Sequence, residues 1–204
     1  MSRQFGSGGS FIGQALARRL GFAYFDREIL RQAAEHLGQE EASIEKREER
    51  LSGFLDKVIG SFIYGPPEAA YMPPPLRPVD DRALFEAEAA AIRRFARQFD
   101  AVFVGRCGFH MLREEPGLVN VFIHADAEFR AGRLKETYGM DPGEAGPLIE
   151  KSDRERGKFI KAMTGADWTD ARNYHLAIDT GKTGLATAGE MILLQVEEVR
   201  AKVS

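Results

Sequence analysis

The chain has 204 residues, 44% of them hydrophobic and 29% charged, which is the composition of one soluble domain spanning 1–204. Its net charge of −3 at pH 7 argues against nucleic-acid polymers as partners, and no apolar stretch approaches the roughly 20 residues that cross a membrane. One cysteine, Cys107, excludes an internal disulfide and fits a reducing compartment, so the sequence predicts a cytoplasmic protein without a membrane partner.

The first half of the chain begins with a glycine-rich loop, 6–10, which leads directly into an amphipathic helix that ends before Gly21. A short apolar strand, 22–25, and a second helix closed by Gly38 follow. Beyond a charged stretch, six prolines between Pro66 and Pro78 predict a loop or an extended excursion.

The second half of the chain alternates short apolar runs with helical patterns. Strands alternating with helices imply an α/β fold whose parallel strands are joined by right-handed crossovers. The predicted elements are helix 81–99, strand 101–104, strand 119–123, helix 126–138, helix 142–163, strand 174–179 and helix 183–202.

Three polar residues, Asp26, Arg106 and Thr180, lie just past the ends of predicted strands. Because parallel sheets bind ligands at the carboxyl ends of their strands, we expect these residues to converge on one site. Asp26 either caps the next helix or marks a site at which Arg27 or Arg31 reaches the phosphate of an acceptor. Arg106 either contacts a phosphate or forms a salt bridge with Glu88 or Asp26.

The loop Gly6-Ser7-Gly8-Gly9-Ser10 has the character of a phosphate cradle. Glycines let backbone N–H groups converge, and the N-terminus of the following helix adds a partial positive charge. The same composition is typical of a flexible linker, which is the alternative interpretation. The immediate helix and the arginines at later strand ends favour phosphate binding.

A cluster of cations lies in the predicted helix 142–163. It predicts either a solvated helix face or a mobile arm that closes over a polyphosphate. Asp153 shares a helix face with Arg156, and we expect Arg130 and Arg133 of the preceding helix to border the same crevice. The clustered cations are Arg154, Arg156, Lys158 and Lys161.

Several segments in this order carry a family resemblance. They are Ser2-Arg-Gln-Phe-Gly-Ser-Gly-Gly9, Tyr24-Phe-Asp-Arg-Glu-Ile-Leu30, Val102-Phe-Val-Gly-Arg106, 122–130, Asp153-Arg-Glu-Arg156 and 168–180. Together they resemble the cytidylate kinase-like family over nearly the whole chain except about 39–78. The resemblance implies a three-layer P-loop kinase fold with a parallel sheet. It also implies an acceptor-binding region within the helical and proline-rich part, about 39–99, and a lid at about 140–165.

The resemblance also implies a role for each matching residue. Those implied to bind the phosphates of ATP are Gly6, Ser7, Gly8, Gly9 and Ser10, with Ser10 as the Mg²⁺ ligand. Those implied to bind the monophosphate acceptor are Asp26, Arg27 and Arg106. Those implied to act in catalysis are Arg106, Asp153 and Arg156, and further lid residues are Arg130, Arg133, Arg154 and Lys158.

The activity that the resemblance implies is transfer of the γ-phosphoryl group of ATP to a nucleoside monophosphate. Two alternatives are a kinase with another small-molecule acceptor and a nucleotide-binding regulatory module with little turnover. Gly9 stands where the phosphate loop usually has a lysine, and Cys107 stands where cytidylate kinases have an aspartate for base recognition. We expect lid cations, or Arg3, to supply part of the missing charge.

The start of the chain appears short for this fold, since only five residues precede Gly6. A typical strand has roughly five to six residues. The sequence therefore predicts a first strand that is missing or truncated, through a misassigned start or a shortened chain. The expected consequence is a gap of about two strand spacings, roughly 9–10 Å, in the middle of the sheet.

Overall fold

The computed structural model describes residues 1–26, 29–30 and 82–203. Arg27 and the predicted features between 31 and 81, including the proline-rich excursion, lie outside the described residues. The helix predicted after Asp26 is therefore described only at Ile29 and Leu30, which are helical.

Each element predicted within the described residues is present, with small shifts at its ends. Three short helical segments are additional, namely Gly108–Met111, Thr180–Thr183 and a 3₁₀ turn at Ala171–Asn173. In chain order the elements are β1 Ser2–Arg3, α1 Gly9–Leu20, β2 Ala23–Phe25, α2 Arg82–Gln98, β3 Ala101–Phe103, α3 Gly108–Met111, β4 Val121–His124, α4 Ala127–Tyr138, α5 Pro142–Thr164, β5 Leu176–Asp179, α6 Thr180–Thr183 and α7 Leu185–Val203.

All paired strands run parallel. β2 pairs with β3, and β4 pairs with both β1 and β5, with Ser2 opposite Phe122. Two hydrogen bonds of Met1 join these ladders, because its amine donates to the Phe103 carbonyl at 2.7 Å and its carbonyl accepts from the Gly105 amide at 2.9 Å. The resulting order, β2-β3-β1-β4-β5, confirms the predicted α/β fold with a parallel sheet.

The predicted gap in the sheet is wrong. Met1 to Gln4 fill the central position, and on the β4 side the Gln4 amide donates to the Ile123 carbonyl at 2.9 Å. The first strand is therefore present and not missing, and with two residues it is shorter than β3 with three and β4 with four. Two regularly paired residues and their flanking hydrogen bonds therefore suffice to place the loop that follows β1.

Apolar side chains pack on both faces of the sheet. In β4, Phe122 joins one buried cluster and its neighbours Val121 and Ile123 join the other, as the alternation of a strand requires. The first cluster lies under α2, where the rings of Phe25 and Phe95 stack with centroids 4.8 Å apart. The second lies under α1 and α7. Among the described helices, none combines the length and apolar character that a membrane crossing requires.

Candidate functional site

The loop after β1 presents backbone N–H groups at the N-terminus of α1. Gly6 and Gly8 have φ of 80° and 83°, a left-handed conformation that glycine adopts without steric cost. Gly8 caps α1 without a side-chain hydrogen bond, and the first turn contains no acidic residue. Since the amides of the first helical turn have no intrahelical acceptor, those from Gly9 onward are placed to receive an anion.

The back of the loop is fixed to the ends of two strands. The buried hydroxyl of Ser7 donates to the Gln4 carbonyl at 2.8 Å and also lies 3.2 Å from the Ile123 carbonyl. The Thr180 hydroxyl, just after β5, is 2.8 Å from the Ser7 carbonyl and 3.1 Å from that of His124. The Ser7 amide also donates to the Gln4 carbonyl at 3.4 Å, so Ser7 fixes the back of the loop through its side chain and its backbone.

Helix α4 and the start of α7 lie against the glycines of the loop. A Cβ at Gly8 would come within 2.4 Å of Leu185 Cδ2 and 3.3 Å of Arg133 Cζ. A Cβ at Gly6 would come within 3.1 Å of Arg130 Cβ. The structure thus brings both predicted arginines of α4 to the loop, and it leaves no room for larger residues at the two glycines.

Asp153 of α5 connects the loop to α4 and α5. Its Oδ1 accepts from the Phe5 amide at 2.9 Å and from Arg156 Nη1 at 3.2 Å, and its Oδ2 accepts from Arg130 Nη1 at 2.5 Å. Arg130 Nη1 also lies 3.2 Å from the Phe5 carbonyl. The side chains of this cluster are largely buried, so the carboxylate and guanidinium charges compensate one another and fix the start of the loop.

Arg156 extends the same connection to β1. Its Nη1 donates to the Arg3 carbonyl at 2.9 Å, and its guanidinium lies 5.5 Å from the ring centroid of Trp168. Arg154 and Lys158 are exposed on α5. Of these three predicted lid cations, the structure therefore brings Arg156 to the loop and leaves the other two at the surface.

Asp26 caps the helix that follows β2. Its Oδ1 accepts from the Ile29 amide at 3.2 Å, and its carbonyl accepts from the Leu30 amide at 3.0 Å. The capping interpretation is confirmed, and the predicted phosphate contact of Asp26 and Arg27 stays a prediction.

Arg106 lies in an unusual turn after β3. Gly105, Arg106 and Cys107 have φ of 88°, 49° and 59°, three consecutive left-handed residues. For the two non-glycine residues this conformation costs about 1–3 kcal/mol each and is typical of functional sites. The turn directs the Arg106 guanidinium into a buried ion pair with Glu88, and 4.7 Å from the ring centroid of Phe159 on α5. The salt-bridge interpretation with Glu88 is thus confirmed, while phosphate contact stays a prediction.

Cys107 is a packing residue beside this turn. Its side chain is buried, and burial raises the pKa of the thiol to about 12, partly opposed by the nearby charge of Arg106. A thiol held protonated is a poor nucleophile. The position that holds an aspartate in cytidylate kinases is therefore apolar and uncharged here.

The residues of the loop fit a polyphosphate, and Ser10 fits a role beside a magnesium ion. The glycines form a cradle that side chains would fill, and Ser10 is the second residue of α1. The described residues contain no group of three or more His, Cys, Asp or Glu side chains placed to hold a metal.

A parallel sheet with helices on both faces, whose central strand leads through a glycine loop into α1, defines an α/β protein. A family model described as the cytidylate kinase-like family matches residues 1–182. The chain belongs to this family, as its sequence motifs predicted. Family membership indicates a kinase-like nucleotide-binding protein.

Comparison with solved structures supports the same fold. A crystal structure of an uncharacterized protein from Eubacterium ventriosum is similar, with 21% identity, a TM-score of 0.69, and coverage of 96% of this chain and 95% of that chain. At this identity the likeness concerns the fold alone. No curated protein matches the chain.

Replacing Asp153 with Asn tests the connection between α5 and the loop. Asp153→Asn keeps the shape but removes the charge between Arg130 and Arg156, so we expect a loss of about 1–3 kcal/mol in the free energy of unfolding. We also expect faster hydrogen exchange in the peptide that contains the Phe5 amide. Urea unfolding and exchange mass spectrometry measure the two effects.

Asp170→Asn is the matched control for this substitution. Asp170 pairs with Arg172, whose side chain is 90% exposed. Because an ion pair in water contributes little, loss of the Asp170 charge should change the free energy of unfolding little. Equal effects of the two substitutions, with unchanged exchange at the loop, would contradict the role assigned to Asp153.

The thiol of Cys107 gives a second prediction. Since burial raises its pKa above the ordinary value of 9.0, the folded protein at pH 8 should react with a thiol reagent far more slowly than the denatured protein. The raised pKa contributes stability below pH 9 that is lost as the pH rises beyond it. The stability difference between the natural chain and Cys107→Ala should therefore shrink above pH 9. Equal thiol reactivity in the folded and denatured states would refute the burial argument.

Proposed function

We propose that the protein is a cytidylate kinase-like nucleoside monophosphate kinase, which transfers the γ-phosphoryl group of ATP to a nucleoside monophosphate. The observation that carries the proposal is the loop 6–10, whose back is fixed by Ser7, Thr180 and Asp153 and whose last residues, Gly9 and Ser10, begin α1 with amides that have no intrahelical acceptor. Such a preorganised set of N–H donors needs no rearrangement when it binds phosphate oxygens.

Phosphoryl transfer requires positioning and neutralisation of charge more than covalent help. In the proposed reaction, an oxygen of the acceptor monophosphate attacks the γ-phosphorus. The bond from that phosphorus to the β,γ-bridging oxygen breaks, and ADP leaves with the electron pair. An acceptor monophosphate is already anionic near neutral pH, so the reaction requires no general base.

On the donor side, we propose that the loop amides bind the β- and γ-phosphates and that Arg133 and Arg156 add positive charge. Arg133 is supported by its position beside Gly8, and Arg156 by its position behind β1. Ser10 would hold Mg²⁺, which when bound neutralises charge on the phosphate oxygens.

On the acceptor side, we propose that Asp26, Arg27 and Arg106 lie beside the monophosphate. The guanidinium of Arg106 has five N–H donors, more than the Glu88 carboxylate engages, so one arginine can serve both partners. Phe159 contacts Arg106 from α5, the proposed lid. Closure of α5 would therefore act on the donor and acceptor sides together.

Two alternatives are favoured by particular positions. Gly9 deprives the loop of its usual lysine, which favours a nucleotide-binding regulatory module with little turnover. Cys107 deprives the acceptor site of a base-reading carboxylate, which favours a kinase that acts on another small molecule.

A panel of nucleoside monophosphates tests the proposal. With ATP and Mg²⁺, we expect ADP formation that depends on at least one monophosphate and is abolished by chelation of Mg²⁺. A coupled assay for ADP measures this. ATP binding without ADP formation across the panel would support the regulatory module, and turnover only with non-nucleotide acceptors would support the other kinase.

Arg156→Ala tests whether α5 contributes to transfer. Loss of the guanidinium removes charge and releases the Arg3 carbonyl, so we expect kcat/KM to fall about tenfold to a hundredfold. Arg154→Ala, an exposed arginine on the same helix, is the matched control and should change kcat/KM little. Unchanged turnover of Arg156→Ala would remove this residue from the mechanism.

A further inference from the structure

Positions 3 and 9 of this chain show an exchange of residue types relative to the usual phosphate-loop pattern. In the pattern G-x-x-x-x-G-K-[ST], the serine aligns with Ser10 and the second glycine with Gly8. The lysine position is then Gly9, and the first glycine position is Arg3. The chain thus has a glycine where the pattern has a cation and a cation where it has a glycine.

The structure gives a physical reason for this exchange. A Cβ at Gly9 would lie 2.5 Å from Arg3 Cβ and 3.0 Å from Arg3 Cγ. The Arg3 Cβ is fixed to the backbone of β1, whose register places Arg3 opposite Ile123, so it cannot move aside. Arg3 therefore excludes every side chain at Gly9, a lysine included.

The other end of the Arg3 side chain reaches the turn after β3. Its Nη1 lies 2.3 Å and its Cζ 3.4 Å from where a Cβ at Gly105 would stand. The stem thus starts beside the first residue of α1, and the guanidinium lies against the residue that precedes Arg106. This position is between the proposed donor and acceptor sides.

We propose that Arg3 is the phosphate-contacting cation of this loop and replaces the absent lysine at the β- and γ-phosphates. The inference deepens the proposed phosphoryl transfer and rests on it. The Arg3 carbonyl accepts from Arg156 at 2.9 Å, so the backbone that carries the cation is fixed before a ligand binds. A guanidinium can also form bidentate hydrogen bonds to phosphate oxygens, which an ammonium group cannot do.

A purely structural role for Arg3, as a side chain that covers two glycines, is the competing explanation. The two roles differ in which ligands respond. Loss of a cation at the β- and γ-phosphates lowers the affinity for ATP and for inorganic tripolyphosphate and leaves the affinity for AMP unchanged. Loss of packing instead lowers the affinity for all three ligands and also the unfolding temperature.

Calorimetric binding to Arg3→Met tests this difference. Because one charge-assisted contact is lost, we expect affinity for ATP and for tripolyphosphate to fall about tenfold to a hundredfold, with AMP changed less than about twofold. Arg3→Lys should retain part of the affinity. Arg19→Met, which removes an arginine paired with Glu190 on the exposed side of α1, is the control and should bind like the natural chain.

The double substitution Arg3→Gly with Gly9→Lys restores the usual pattern and gives an independent test. Arg3→Gly alone should lose tripolyphosphate affinity, and the double variant should recover most of it, because glycine at position 3 removes the Cβ that blocks position 9. If Arg3→Met binds tripolyphosphate as tightly as the natural chain does, the inference is overturned. The inference is also overturned if the double variant has the unfolding temperature of the natural chain but binds tripolyphosphate as weakly as Arg3→Gly.

The same measurements separate this inference from the proposed function. If Arg3→Met loses tripolyphosphate binding and the natural chain phosphorylates no acceptor, the role of Arg3 stands and the kinase proposal falls. If the natural chain is an active kinase and Arg3→Met binds and turns over equally well, only the inference falls. If the natural chain binds neither ATP nor tripolyphosphate, both fall.

Discussion

The carboxylate of Asp153 is the interaction on which the site depends most. It joins the Phe5 amide, Arg130 and Arg156 where the loop, α4 and α5 meet. A buried carboxylate is stable only when opposite charges and hydrogen bonds compensate for lost water, and two guanidinium groups and an amide do so here. Because this anchoring uses the back of the loop, the N-terminus of α1 remains available to an anion.

Helix α5 connects both halves of the proposed reaction. Asp153 and Arg156 hold the loop and β1, and Phe159, one turn further along, contacts Arg106 beside the strained turn after β3. A shift of this one helix would change the donor and acceptor sides together. In the proposed reaction, movement of α5 would therefore be coupled to assembly of the site.

The sequence predicted the fold well where a local pattern reports a local structure. The alternation of Val121, Phe122 and Ile123 reflects burial on both faces of β4, and the family motifs located the loop. The gap expected in the sheet was wrong, because hydrogen bonds of Met1 and Gln4 to the neighbouring strands hold even a first strand of two residues at the centre of the sheet. Arg106 had two candidate partners in the sequence, and only the position of α2 selects Glu88. The collision between Arg3 and position 9 depends on a distance that no periodicity encodes.

A crystal structure with Mg²⁺ and a non-hydrolysable ATP analogue tests the central claim most directly, namely that the loop after β1 holds the phosphates with Arg3 as its cation. We expect the β- and γ-phosphates at the amides of Gly8, Gly9 and Ser10, with the Arg3 guanidinium within hydrogen-bond distance of their oxygens. Phosphates bound elsewhere, or bound at the loop with the Arg3 guanidinium turned away from them, would contradict it.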